Sequence, residues 1–163
     1  MPGGFVRPAR AEDMAFVENS WLQSYADSDT ALICTPKDEP HTRKCQICGA
    51  YRVRTAKAGK EYWNGERALM RALIRRSVLL VKEASDGLLD GFACWQQRPD
   101  GFFVHYVYVR MSARCKGVAK ELLSPLLGEP LVVYTHRSRV VDARRMPKNF
   151  RFDPYELYRS IAA

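Results

Sequence analysis

The sequence predicts a single α+β (mixed α/β) domain, a twisted, mainly antiparallel sheet flanked by helices, with a cysteine-containing loop inserted into it. Three observations carry this expectation. Segments of period 2 and period 3.6 follow one another in the order strand, helix, helix, three strands, helix, strand. The length of 163 residues, with 47% hydrophobic and 27% charged residues, suits one soluble core. Finally, the periodicity stops from Ser28 to Lys60 and then resumes, as it does around an insertion.

The elements follow in order. "GGFVRPARAED" reads as a short strand, a turn and a helix start with acids in its first turn. Ala15, Phe16, Val17, Trp21 and Leu22 recur at helical spacing and predict a helix from about Glu12 to Tyr25. The segment Ser28–Lys60 holds Pro36, Pro40, Gly49 and Gly59 and no sustained period, so it is expected as a loop. "EYWNGERALMRALIRRS" returns to helical spacing through Trp63, Leu69, Met70, Leu73 and Ile74. "SVLLVKEA", "LLDGFACWQQ" and "FFVHYVYVR" are strands, separated by the turn residues of "SDG" and "RPDG". A helix is expected through Leu127, closed by "GEP", and "LVVYTH" is another strand. The tail is mixed, with one short helix around Val140 to Arg145.

Composition narrows the function classes. The longest apolar runs are far too short to span a bilayer, and "MPGGFVRPARAED" has no apolar signal core. A cytoplasmic protein with reduced cysteines is expected. Lys and Arg number 26 against 18 acids, a net charge of +8, which favours anionic partners such as nucleotide cofactors, nucleic acid or acidic surfaces. The basic residues are scattered, as on an ordinary solvated face. "RVRTAKAGK" and "THRSRVVDARR" are the densest, and they make nucleic acid the first anionic acceptor to consider.

The stretch "VRMSARCKGVAKELL", Val109 to Leu123, leaves a strand and enters a helix through Arg114, Lys116 and Gly117. A helix start exposes unpaired N–H groups and the positive end of the helix dipole, and glycine admits a ligand close to the backbone. Such a loop can bind a phosphate. Its plainer reading is a tight turn whose glycine only permits packing.

The same stretch resembles motif A of the GCN5-related N-acetyltransferases, in which Arg/Gln-x-x-Gly-x-Gly/Ala follows a strand. Arg114, Gly117 and Ala119 fall on the signature positions, and Val109, Val118, Leu122 and Leu123 on the apolar ones. "FVRPARAEDMAFV" is similar to the family's opening strand, turn and first helix, as is the order of elements from Ser77 to His136. The resemblance implies acetyl-CoA or another acyl-CoA lying against Val107, Tyr108 and Val109. Its pyrophosphate is implied at the amides of Cys115, Lys116, Gly117, Val118 and Ala119, beside Arg114. It also implies that "LVVYTH" splays from the central strand and that the pantetheine arm lies in the gap. The Ser28–Lys60 insertion lies outside the resemblance.

Acyl transfer to an amine needs a proton acceptor for the amine and a donor for the leaving thiolate. The family often uses a glutamate near the motif A strand and a tyrosine on a later helix, but "FFVHYVYV" has no glutamate. His105 on that strand has a side chain suited to a base, and strand alternation is expected to turn Tyr106 and Tyr108 away from it. Tyr134 and His136 close the partner strand. Tyr155 and Tyr158 lie where the family keeps its acid. Each has a bland counterpart: a lone histidine on an apolar strand as a hydrogen-bonded core residue, a tail tyrosine as a packing residue.

Cys34, His41, Cys45 and Cys48 form a second constellation, with Cys-x-x-Cys followed by glycine, that suits tetrahedral zinc; the other reading is free thiols in a loop. Cys94 and Cys115 are expected to pack or to line the site. The leading expectation is an acyl-CoA-dependent N-acyltransferase. "VHYVYVR", "GVAKELL" and "FDPYEL" are also similar to small phage-encoded members of the family, among which the Mom type modifies adenine in DNA. A non-catalytic module on this fold, binding a host protein or DNA, is the remaining class. An intact Arg-x-x-Gly-x-Ala speaks against lost cofactor binding.

Overall fold

The computed structural model describes residues 4–26, 43–44, 51–52, 60–136 and 146–162. Strand β1 (Phe5–Pro8) leads through a 3-10 turn into helix α1 (Met14–Ala26). A two-stranded ladder of β2 (Arg43–Lys44) and β3 (Tyr51–Arg52) lies where the sequence predicts only a loop. Helix α2 (Lys60–Ile74) and the strands β4 (Val78–Glu83), β5 (Leu89–Arg98) and β6 (Gly101–Val109) follow as expected. Next come α3 (Val118–Leu122), β7 (Val132–Tyr134), β8 (Phe150–Phe152) and α4 (Glu156–Ala162). Among the described residues no helix is long and apolar enough to cross a membrane.

The main sheet runs β1-β4-β5-β6-β7-β8. From β1 to β6 every pairing is antiparallel, and β7 and β8 are added in parallel. Its two faces have separate cores. On one face α1 and α2 set Val17, Trp21, Met70 and Leu73 against Val81, Phe92, Cys94 and Tyr106. On the other, α3 sets Val118 and Leu122 against Ala93, Trp95, Val104, Val132 and Tyr134. Cys94 packs, as expected; burial pushes its thiol up to about 12, which keeps it protonated and inert.

Polar links join distant parts of the chain. The Arg7 guanidinium on β1 donates to both oxygens of Asp13, at 2.7 and 3.0 Å, and to Glu83 on β4 at 2.6 Å. Asp13 in turn accepts the Arg10 N–H at 2.7 Å, and these contacts hold its carboxyl below the usual range. Arg98 at the end of β5 lies 3.5 Å over the Phe103 ring and donates to Glu156 at 2.7 Å and to Ser160 at 3.0 Å, both on α4. It thereby anchors the last helix to the sheet.

Two expectations need correction. The helix after the Arg114 loop does not continue to Leu127: α3 ends at Leu122 and a 3-10 turn spans Ser124–Leu126. Pro125 has no N–H to donate to the Glu121 carbonyl, so the α-helical ladder stops there. The tail is more regular than its sequence suggests, since Phe150–Phe152 pairs with β7 and α4 follows. The short helix expected around Val140 to Arg145 lies outside the described residues.

Candidate functional site

Strand β6 carries the site, and an irregularity in its pairing with β5 shapes it. Tyr106 stands opposite Cys94, yet Val104 stands opposite Trp95, so His105 is an extra residue on β6. This bulge breaks the alternation of side chains. Val104 belongs to the α3 core and Tyr106 to the α1 core, although they are only two residues apart. Simple alternation therefore fails at one of the two steps between Val104 and Tyr106.

On its other side β6 is, among the described residues, paired over only part of its length. Strand β7 pairs through Phe102↔Val132, Phe103↔Val133 and Val104↔Tyr134, and the Thr135 N–H donates to the Val104 carbonyl at 3.0 Å. Beyond that point β6 runs on to Val109 with no paired residue of β7 beside it. The Arg110 N–H donates to Asp90 at 2.8 Å, so Arg110, Tyr108 and Tyr106 direct their backbone groups toward β5. A Cβ at Gly91 would come within 2.3 Å of the Tyr108 carbonyl, which is why this position of β5 is glycine. By alternation Val107 and Val109 turn their N–H and C=O groups the other way, into the gap that β7 leaves. The Val109 carbonyl accepts the Arg114 Nε–H at 3.1 Å.

The loop after β6 leads to the mouth of this gap. Met111–Ala113 form a 3-10 turn, and Cys115 and Gly117 have φ of 62° and 82°. Such a φ favours glycine, and Gly117 uses it to cap α3. Helical bonding begins with the Glu121 N–H on the Gly117 carbonyl at 3.0 Å, so the amides of Val118, Ala119 and Lys120 have no carbonyl behind them in the helix. Cys115, Lys116, Gly117 and Ala119 are exposed, and a Cβ on Gly117 would meet nothing within 4 Å. A cleft of about 290 Å³ adjoins this loop and is lined by Lys82, Asp90, Arg110, Ser112, Lys116, Val118 and Glu121. Its charges are largely paired within it, Lys82 to Glu121 and Arg110 to Asp90 at 3.6 Å.

The candidate histidines meet at the fork between β6 and β7. His105 is fully buried, and His136, just past the end of β7, is partly exposed. Thr135 lies between them: its Oγ1 is 2.9 Å from His136 Nδ1 and 3.5 Å from His105 Nδ1. Burial pushes His105 down to about 3, with His136 and Arg98 adding to the effect. Burial also pushes His136 down to about 4, against a hydrogen bond to the His105 backbone that raises it. Both rings are therefore neutral at physiological pH. The His136 ring stands edge-on to Tyr106 at 5.5 Å and to Trp21 at 6.3 Å. Trp21 stacks on Tyr106 at 4.8 Å, and the Tyr106 hydroxyl shares a hydrogen bond of 2.8 Å with Ser24.

The tyrosine candidates lie elsewhere. Tyr134 is buried in the α3 core, 5.3 Å from the Phe152 ring, and Tyr155 is 53% exposed just before α4. The Cys34, His41, Cys45 and Cys48 tetrad lies outside the described residues, as do residues 53–59 and 137–145 of the basic segments. Among the described residues no cluster of His, Cys, Asp or Glu could hold a metal ion. Thr135 and Ser24 were missed in the sequence. Thr135 had one signal available, as the polar residue between Tyr134 and His136 in an otherwise apolar strand.

The six-stranded mixed sheet flanked by helices is the fold of the GCN5-related N-acetyltransferases, and this chain has that fold. It superposes on a histone acetyltransferase HPA2 and related acetyltransferase from Corynebacterium glutamicum with a TM-score of 0.50 and 20% identity, over 77% of this chain and 70% of that one. It also superposes on a protein taken to be an acetyl transferase, from Pyrococcus furiosus, with a TM-score of 0.50 and 13% identity, over 86% and 85% of the two chains. No protein-family model and no curated protein matches the sequence.

Proposed function

We propose that the protein transfers an acyl group from acetyl-CoA to an amine. The observation that carries this reading is the edge of β6 from the fork to Val109, unpaired among the described residues, ending at the left-handed Gly117 and the first amides of α3. Backbone groups of Val107 and Val109 suit the amides of a pantetheine arm, which would extend the sheet where β7 has departed. The amides of Cys115 to Ala119, with Arg114 and Lys116 beside them, suit a pyrophosphate, and the open space before Gly117 leaves room for it. The donor's thioester would supply the acyl carbonyl, placed toward the fork.

There the amine nitrogen bonds to the acyl carbon as the carbon–sulfur bond breaks. His136 is the member of the candidate set that is both partly exposed and held at the fork, so it takes the amine proton. The resulting imidazolium, a strong acid in this buried setting, can return a proton to the departing thiolate. His105 lies behind it, too deep to meet an acceptor. This reading gives Tyr134 and Tyr155 no proton to move. The family fold supplies the precedent for acyl transfer, and the acceptor is defined only as an amine.

Gly117→Trp tests the donor site. Its side chain would fill the mouth of the loop, and its φ of 82° is costly for any L side chain. Calorimetric titration with acetyl-CoA should show binding to the wild type and none to the variant, with circular dichroism confirming the fold of both. Equal affinity would remove the assignment.

A further inference from the structure

We propose that Glu66 on α2 receives the acceptor, and that the acceptor is an alkylamine arriving as its ammonium cation. The proposal deepens the acyltransfer reading and rests on it for the purpose of the site. Glu66 stands where a helix usually keeps apolar residues. Trp63 comes three residues before it, Met70 four after and Leu73 seven after, which is the spacing of one helical face. Met70 and Leu73 are buried in the α1-side core, and Trp63 packs against it. Glu66 shares that face and is half-buried. The other acids of these helices are engaged: Glu18 with Arg71 at 2.8 Å, and Glu156 with Arg98 at 2.7 Å. Glu66 has no ion pair or hydrogen bond among the described residues, and burial raises its carboxyl pKa with no cation to offset it.

The helix directions put this carboxylate on the fork side. Helix α1 begins soon after Ala9, whose N–H donates to the Leu79 carbonyl at 2.9 Å, and α2 ends just before β4 starts at Val78. The start of α1 and the end of α2 thus meet at the start of β4, and the two helices run antiparallel. Late in α2, Arg71 accordingly donates to Glu18, early in α1, at 2.8 and 2.9 Å. Glu66 lies more than a turn before Arg71, toward the part of α1 that carries Trp21 and Ser24. Those residues are at the fork: Trp21 stands edge-on to His136, and Ser24 bonds the Tyr106 hydroxyl. A half-buried carboxylate without a partner costs free energy that an apolar residue at the same place would not. An ammonium supplies both the opposite charge and N–H donors. A neutral alcohol of the same shape supplies no charge. The bound ammonium sheds its extra proton to solvent before the nitrogen attacks the acyl carbon.

Binding can be read without turnover. The full chain, labelled with ¹³C-glutamate, is titrated with n-butylamine hydrochloride and, separately, with 1-butanol as its neutral twin. The Glu66 carboxyl resonance, identified by its loss in Glu66→Gln, should titrate above the ordinary glutamate range. Butylammonium should move that titration back down, because a bound cation favours the charged carboxylate, and butanol should leave it in place. Glu66→Leu should melt no lower than the wild type, since it removes an unpaired carboxylate from an apolar face; a structural role would lower the melt. With acetyl-CoA as donor, thiol release on butylamine should show KM raised on the order of 10-fold in Glu66→Gln, with acetyl-CoA affinity unchanged. A Glu66 resonance indifferent to butylammonium, or an unchanged KM in Glu66→Gln, overturns the proposal. Loss of acetyl-CoA binding in the wild type would instead overturn the acyltransferase reading, and the carboxyl titration would still decide whether Glu66 holds a cation.

Discussion

Phe92→Ala should lower the stability of the protein by about 3–5 kcal/mol, the usual cost of removing a buried phenyl ring, and its melting temperature by on the order of 10 °C. Phe92 is fully buried on the α1 face of β5. Its ring lies 6.0 Å from Trp21, 6.3 Å from Phe16, 6.2 Å from Tyr106 and 5.8 Å from Tyr108. Alanine gives up the transfer free energy of the ring and the aromatic contacts, and leaves a void that strands pinned on both sides cannot close. Thermal melts and urea titrations of wild type and variant measure the loss. A change below about 1 kcal/mol would mean that α1 does not pack on β5 and β6 as described. Tyr106 forms one wall of the fork, so the same variant should also loosen the surroundings of His136.

Acid should destabilise the protein well above the range in which carboxylates titrate. His105 titrates at about 3 in the folded chain against an ordinary value of 6.5. Below pH 6.5 the unfolded chain therefore binds a proton that the folded chain refuses. The stabilising contribution is complete above pH 6.5 and is lost as the pH falls toward 3. Each unit in that window removes about 1.4 kcal/mol per imidazole, so His105 alone removes about 3 kcal/mol between pH 6.5 and pH 4.5. His136, pushed down to about 4, acts in the same direction. Asp13, whose carboxyl is held low by Arg7, adds its loss only at more acid pH. Urea midpoints at pH 7 and pH 4.5 measure the effect, and His105→Leu should flatten it. A wild-type midpoint that does not move across this interval would show that His105 is not buried as a neutral ring.

Where the sequence was legible, the reason is local. Leu69, Met70, Leu73 and Ile74 mark the inner face of α2 by spacing alone, and the turn residues of "SDG" and "RPDG" separate β4, β5 and β6. The Arg114–Ala119 loop was readable as a break between strand and helix, because glycine admits the positive φ that Gly117 takes there. Strand β8 was not readable: "FRF" is too short to show a period, and it becomes a strand only because β7 offers it an edge. Helix α4 depends on Arg98, which reaches Glu156 across 58 positions of the chain. No local window contains both.

By itself the sequence determined the class of fold, the antiparallel meander, the helix α1 after an acidic turn, and the glycine-containing loop between β6 and α3. Each of these follows from side-chain periodicity and backbone preferences that act within a few residues. Only the tertiary structure decided which face each site residue takes. One extra residue in β6 shifts its register against β5, puts Tyr106 in the α1 core and breaks the strand's alternation at His105. The parting of β6 and β7 turns Val107 and Val109 toward an open gap and brings Thr135 between two imidazoles. Tyr134, two residues from His136, goes to the α3 core instead. Register and strand parting are set by what a strand pairs with, and that partner lies far away in the chain.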